Sequence, residues 1–292
     1  MIPSITVFLI SICGLGFSAS DYFRKLALNN LDARILLLIF VSGQIPLLGL
    51  WFILSDNYHI DTFYWPIGIL AGIMGLIANL LFLKSLKVSE ISKVIPILGI
   101  IPVFSSISSF ILIGETLNLN QVLGITLSCL ALIIIYSPHG MSPFSGFKAF
   151  IQDKGARLMT AVAIIWSILA PIDKLCMQYS SSATHGLIQT IFITFTLFIF
   201  ISLNGKQTTI PLNKSFLRPA ILASVTAGIA YGAQLMAYEM TLVSFVELYK
   251  RIIGIIGALM VGRLFLSEKI TKQKLFGIFM IIIALPLIMI DF

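Results

Sequence analysis

Three charged residues, Glu247, Lys250 and Arg251, stand near one end of a stretch apolar enough to cross a bilayer, FVELYKRIIGIIGALMVGRLFLSE (Phe245–Glu268). Spacings of three and four residues put the carboxylate within helical reach of both cations. A charge well inside a membrane helix costs roughly 2.5–3.5 kcal/mol on insertion scales, so such groups face a cavity or a partner. One carboxylate against two cations leaves a cation in surplus, which suits recognition of a carboxylate or phosphate on a ligand. The competing account is that Lys250 and Arg251 snorkel to the headgroups along their aliphatic stems.

Other polar groups interrupt apolar runs. Asn79, Gln234 and Tyr238 either hydrogen-bond a ligand or hold a neighbouring helix at about 0.6–2 kcal/mol each. Lys93, with Pro96 and Pro102, begins another apolar run, where proline frees backbone carbonyls to line a cavity or simply kinks a helix. Trp166 and Tyr249 offer aromatic faces for stacking or cation–π contact with a cationic end of a ligand, or for packing alone. Asp21 and Lys25 have i,i+4 spacing, and with Arg24 form either a gate or an interface anchor. Asp173 and Lys174 are adjacent and point to different faces near a run's end, where interfacial solvation is expected. Glu115 and Glu268 follow apolar runs at turns and read as capping groups.

The three histidines, His59, His139 and His185, are scattered at run ends, so no metal site or proton relay is expected. Cys13, Cys129 and Cys176 lack metal-binding or redox spacing and read as buried thiols. No phosphate-binding glycine loop and no nucleophile–base pair occurs. The expectation is a chain with no cofactor, no metal and no catalytic residues.

The elements that hold these groups follow from composition. The 292 residues are 58% hydrophobic and 11% charged, where soluble domains carry about 25% charge. This composition implies an integral membrane protein whose partner is the lipid bilayer. The excess of seven positive charges is then read as topology and headgroup contact, and nucleic-acid binding has no support. The apolar N-terminus has no basic leader or small-residue cleavage site and reads as a retained span. Apolar runs near bilayer length fall at 2–22, 35–54, 65–83, 93–113, 121–137, 157–174, 187–203, 219–238, 243–266 and 275–291.

The chain repeats itself. Lys25-Leu26 after the first run matches Lys174-Leu175 after the sixth, and LIGETLNLNQVLG (Leu112–Gly124) matches FLSEKITKQKLFG (Phe265–Gly277). Five spans per copy, an odd number, place the second copy upside down in the membrane. Every Lys and Arg except Lys174, Lys250 and Arg251 lies in or beside the connections after the odd-numbered spans. Those connections are therefore expected in the cytoplasm and both termini outside. The fold class is an all-α integral membrane protein with ten transmembrane helices in two inverted five-helix repeats. Its units are 1–140 and 157–292, joined by a loop at 141–156.

The same stretches resemble the EamA-like branch of the drug/metabolite transporter superfamily over nearly the whole chain. The resemblance rests on Pro102-Val103-Phe104 followed by Gly114-Glu115, and on LYKRIIGIIGALMVGRLFLSE in the second copy. There Ile255 replaces the proline and Ser267 the glycine. It implies a central cavity lined mainly by helices 1, 3, 4, 6, 8 and 9. It also implies secondary transport of a small-molecule substrate, such as an amino acid, across what would be a bacterial inner membrane. Relatives are commonly assigned cytoplasmic termini, opposite to the charge count here. A non-transporting scaffold or receptor subunit is the alternative. One chain of ten spans can complete a pathway, so a monomer and a homodimer both remain open.

Overall fold

The computed structural model describes residues 4–28, 31–89, 94–136, 153–203 and 214–265, with a few single positions between 272 and 287. Ten α-helices occupy these ranges: α1 (Ser4–Leu28), α2 (Ala33–Ser42), α3 (Ile45–Leu54), α4 (Tyr64–Val88), α5 (Ile101–Ile113), α6 (Leu119–Tyr136), α7 (Lys154–Gln178), α8 (Ser182–Leu203), α9 (Lys214–Met240) and α10 (Val243–Phe265). A 3-10 segment, Ile95–Ile100, precedes α5. The one β feature among the described residues is an isolated bridge between Ile60 and Ser180.

Among the described residues, six segments are long and apolar enough to cross a membrane: α1, Ala33–Leu54, α4, α7, α8 and Leu217–Met240. Large apolar side chains such as Phe8, Leu54, Phe195 and Leu203 stand exposed on these helices, the surface that lipid rather than water accommodates. The run expected at 275–291 lies mostly outside the described residues.

Two expected spans are broken helices. The second divides at Gly43–Gln44 because Pro46, in the first turn of α3, has no N–H to continue α2. At the break the Gln44 N–H turns to Val41 O, and its side-chain amide donates to Phe40 O at 3.0 Å. Gly43 also lets α9 approach closely, since a Cβ there would stand 2.7 Å from Ser224 Oγ. The fourth span starts as the 3-10 segment and becomes α-helical only at Ile101, with a proline in the first turn of each part. Its end explains Gly114 of the Gly-Glu pair: at φ 69° it is left-handed and closes α5 with its N–H on Phe110 O. Asn118 and Gln121 then cap α6 reciprocally, each side chain accepting from the other's backbone N–H.

The two halves interlock symmetrically. α1 packs on α9 as α4 packs on α7, and α5 packs on α7 as α10 packs on α1. Exchanging first with sixth spans, third with eighth and fourth with ninth converts each contact into its counterpart. The matched lysines obey the same rule. Lys25 donates to Leu86 O and Ser89 O at the end of α4, and Lys174 donates to Thr241 O just after α9. Each cation thus meets the electronegative C-terminus of the third long helix in its own half.

Two close approaches matter for the site. Pro171 inside α7 leaves Ser167 O without a backbone donor, and Ser108 of α5 donates to that carbonyl. On the opposite side, a Cβ on Gly14 of α1 would stand 2.7 Å from Ile253 Cβ and 3.0 Å from Lys250 O. Gly14→Val is therefore expected to destabilise by about 1–3 kcal/mol through overpacking, read as a lower thermal midpoint in detergent. A midpoint equal to wild type would contradict the close approach of α1 and α10.

Candidate functional site

Between the halves lies a cavity of about 160 Å³. Its lining comes from α1, the α2–α3 break, α4, α7, α8, α9 and α10. The expected set of spans 1, 3, 4, 6, 8 and 9 is therefore revised. The broken second span contributes Phe40 and Gln44, and the seventh contributes Gln189 and Thr190, while no described residue of the fourth reaches the lining.

The charged centre forms where α9 meets α10. Glu247, 2% exposed, accepts at Oε1 from both Tyr238 Oη and Lys250 Nζ. Lys250 also donates to Gln234 Oε1 at 2.7 Å and lies 5.6 Å from the centroid of the Phe17 ring. Arg251 reaches Glu247 Oε2 at 3.8 Å, and its guanidinium stands 5.7 Å from the Trp166 ring. Glu247 Oε2 and Arg251 Nε have no hydrogen-bond partner among the described residues. Lys250 does not snorkel to an interface: it is buried with its amine on two acceptors. A tyrosine, a glutamine and a glutamate hold one cation in place, while Arg251 keeps hydrogen-bonding capacity.

A second charged pair stands on α1. Asp21 was expected to pair with Lys25, but it pairs with Arg24, three residues away. Lys25 is drawn instead to the carbonyls that end α4. The Arg24 guanidinium lies between the rings of Phe40 and Phe82, 4.7 and 4.4 Å from their centroids. Both Asp21 and Arg24 line the cavity, so they are neither an exposed anchor nor a headgroup contact.

The third polar centre was not anticipated. Asp173 is buried and lines the cavity rather than resting at a solvated interface. Its Oδ1 lies 3.2 Å from His185 Nε2, and His185 Nδ1 lies 3.0 Å from Tyr64 Oη. Gln189 donates to Tyr64 Oη and to Gly68 O. Lys174, beside Asp173 in sequence, turns away to Glu115 Oε1 at 2.7 Å. Glu115 Oε2 in turn accepts from Val243 N at 3.1 Å. The capping role expected of Glu115 is real, but the helix it caps is α10, in the other half.

The remaining expected site residues divide. Trp166, Gln234, Tyr238, Glu247, Lys250 and Arg251 share the cavity, and Asn79 lines it while its amide donates to Gly75 O on its own helix. Tyr249 is not among the lining residues; it stacks on Phe245 with ring centroids 5.9 Å apart. Lys93 lies outside the described residues.

The EamA-like transporter family model matches the chain twice, over residues 4–137 and 153–290. This chain belongs to the EamA-like transporter family. It is accordingly an integral membrane protein and a transporter of the drug/metabolite type. No curated protein matches the sequence. A solved structure described only as a protein crystal structure is 12% identical, with 96% of this chain and 95% of that chain covered and a TM-score of 0.72. That likeness shows a shared fold and nothing about substrate.

For an EamA-like transporter, the charge inventory of the cavity bears directly on what enters. The expectation of a surplus cation came from Glu247, Lys250 and Arg251 alone. Among the lining residues Asp21, Asp173 and Glu247 balance Arg24, Lys250 and Arg251. The cavity is formally neutral yet strongly polarised within. Two signals in the sequence point to parts of it that were missed. His185 and Gln189 share a helical face at i,i+4 spacing, and Gln44 precedes a proline in mid-span.

Proposed function

We propose that this chain is a secondary-active transporter, an exporter or exchanger, of small zwitterionic metabolites such as amino acids. It works by alternating access between two inverted five-helix halves, with both termini outside, in a bacterial inner membrane. The observation that carries this reading is the charge-balanced cavity between the halves. A ligand bearing both signs suits it better than a simple anion or cation, because each pole finds an opposite charge and the total stays neutral.

In this mechanism Arg251, with Lys250, receives the carboxylate of the substrate. Glu247, Tyr238 and Gln234 hold the Lys250 amine in position, so little side-chain freedom is lost on binding. Asp173 receives the ammonium group. Trp166 provides an aromatic wall, and Asn79 and Gln44 add polar contacts. Tyr249 and Lys93 have no assigned part.

The test is thermal stability of the purified protein against amino acids, polyamines, choline-like cations, sugars and phosphorylated compounds. A specific ligand stabilises by RT ln(1 + [L]/Kd), about 2.7 kcal/mol at a hundredfold excess over Kd. The expected result is stabilisation by one or a few amino acids and no shift of comparable size in Lys250→Ala. Stabilisation that persists unchanged in that variant would move the site elsewhere. A panel without hits would favour a scaffold that binds none of these compounds.

A further inference from the structure

Each of the carboxylates Asp21, Glu115, Asp173 and Glu247, in or beside the cavity, has a basic partner, and Asp173 differs from the rest in what that partner is. Asp21 has Arg24, Glu115 has Lys174, and Glu247 has Lys250 and Arg251, each partner a lysine or an arginine. Asp173 has His185, and imidazole is the side chain whose charge ordinarily changes near neutral pH. We propose that the Asp173–His185 pair is a proton-binding site and that transport is exchange of substrate against protons.

Geometry supplies the argument. His185 is completely buried and both ring nitrogens are engaged. With the proton on Nε2, a continuous series runs from Gln189 Nε2 to Tyr64 Oη, from Tyr64 Oη to His185 Nδ1, and from His185 Nε2 to Asp173 Oδ1. Every donor then has an acceptor, with His185 neutral and Asp173 ionised. Both ends of the series, Gln189 and Asp173, line the cavity, and of the two the carboxylate is the group that takes up a proton. Uptake places the proton on the Asp173 carboxyl, whose Oδ1 still accepts from His185 Nε2, so the dyad passes from net negative to neutral. No bond to carbon changes, and the only species gained is the proton.

Among the described residues no lysine or arginine pairs with Asp173 to hold it ionised regardless. From α4 the group facing the dyad is Tyr64, and from α8 it is Gln189. Cys176 of α7 and Tyr231 of α9 stand within electrostatic reach of Asp173 and Tyr64. Glu239 of α9 is exposed and accepts from Ser182 N at the start of α8. Lys174 is held away by Glu115 and Thr241.

Coupling follows from competition. The inference rests on the zwitterion reading, in which Asp173 receives the ammonium. Once the dyad holds that proton, the Asp173 carboxyl is neutral and the ammonium loses its counter-charge. Proton and substrate therefore occupy the site alternately, which is the requirement for exchange.

Two measurements test this, one independent of substrate. The chain contains three histidines, so ring-labelled histidine in nanodiscs gives an NMR spectrum that His185→Gln assigns. The expected result is a His185 resonance that changes with pH and whose response shifts in Asp173→Asn. A pH-invariant His185, or an identical response in Asp173→Asn, overturns the proposal. In proteoliposomes with a trapped pH dye, an inward gradient of the proteinogenic amino acid mixture is expected to make the lumen alkaline. That change should fall to the empty-liposome level in His185→Gln. Acidification, no pH change despite amino acid entry, or an equal response in His185→Gln overturns the exchange. Absence of amino acid entry in wild type overturns the transport reading and the exchange with it, while the NMR titration separately decides whether the dyad binds a proton.

Discussion

Lys250→Ala is expected to destabilise the protein by about 3–5 kcal/mol and to abolish substrate binding. Glu247 is 2% exposed and Lys250 7%, so removing the amine strands a buried carboxylate, the situation in which such losses are seen. Arg251 does not rescue it, since its guanidinium is 3.8 Å from the other oxygen. The same truncation leaves Gln234 Oε1 without its 2.7 Å donor. Stability and binding can be separated by removing both charges. Lys250→Met with Glu247→Gln removes one buried charge of each sign and leaves Arg251, 17% exposed, without its 3.8 Å carboxylate; it recovers much of the thermal stability, because paired removal of a buried ion pair is often neutral. It does not recover ligand-induced stabilisation. A double variant that regained both would reduce the cluster to a structural clamp.

Glu115→Ala is expected to cost about 1.5–3 kcal/mol, the range for hydrogen bonds to charged groups. Its carboxylate joins the turn after α5 to Lys174 on α7 and to the first N–H of α10. Losing it frees one end of Lys174 and leaves the N-terminus of α10 without an acceptor, next to the segment that carries Glu247. Lys174 keeps Thr241 O, which limits the loss. Glu115→Gln retains an acceptor for Val243 N but no ion pair, and its loss should fall between wild type and alanine. Thermal unfolding of the three proteins decides this. Equal midpoints for wild type and Glu115→Ala would mean that the contact between the halves contributes nothing.

Much of this arrangement is legible in the sequence for a simple reason: charge in an apolar run is costly, so its position carries information. The 247/250/251 spacing placed a carboxylate between two cations, and Gln234 and Tyr238 stood out on an apolar helix. Tyr249 was expected at the site, whereas helical geometry places it roughly 200° around the axis from Glu247, on the face where it stacks on Phe245. Asp21 was assigned to Lys25 on spacing alone. Spacing permits i,i+3 as readily as i,i+4, and the free carbonyls at the end of α4 settle which lysine or arginine is available. His185 was passed over because Ser180–His185 reads as a polar connection. In the fold, α8 begins at Ser182, which turns that histidine inward onto Asp173. The partners of Asp173 and Glu115 come from other helices, and no local pattern in one chain segment encodes them.

The most direct test of the central claim is uptake of radiolabelled amino acids into proteoliposomes holding the purified chain, with Lys250→Ala and protein-free liposomes alongside. Saturable uptake of at least one amino acid by wild type is expected, with uptake at the protein-free level by Lys250→Ala. Wild-type uptake indistinguishable from protein-free liposomes for every amino acid would contradict it.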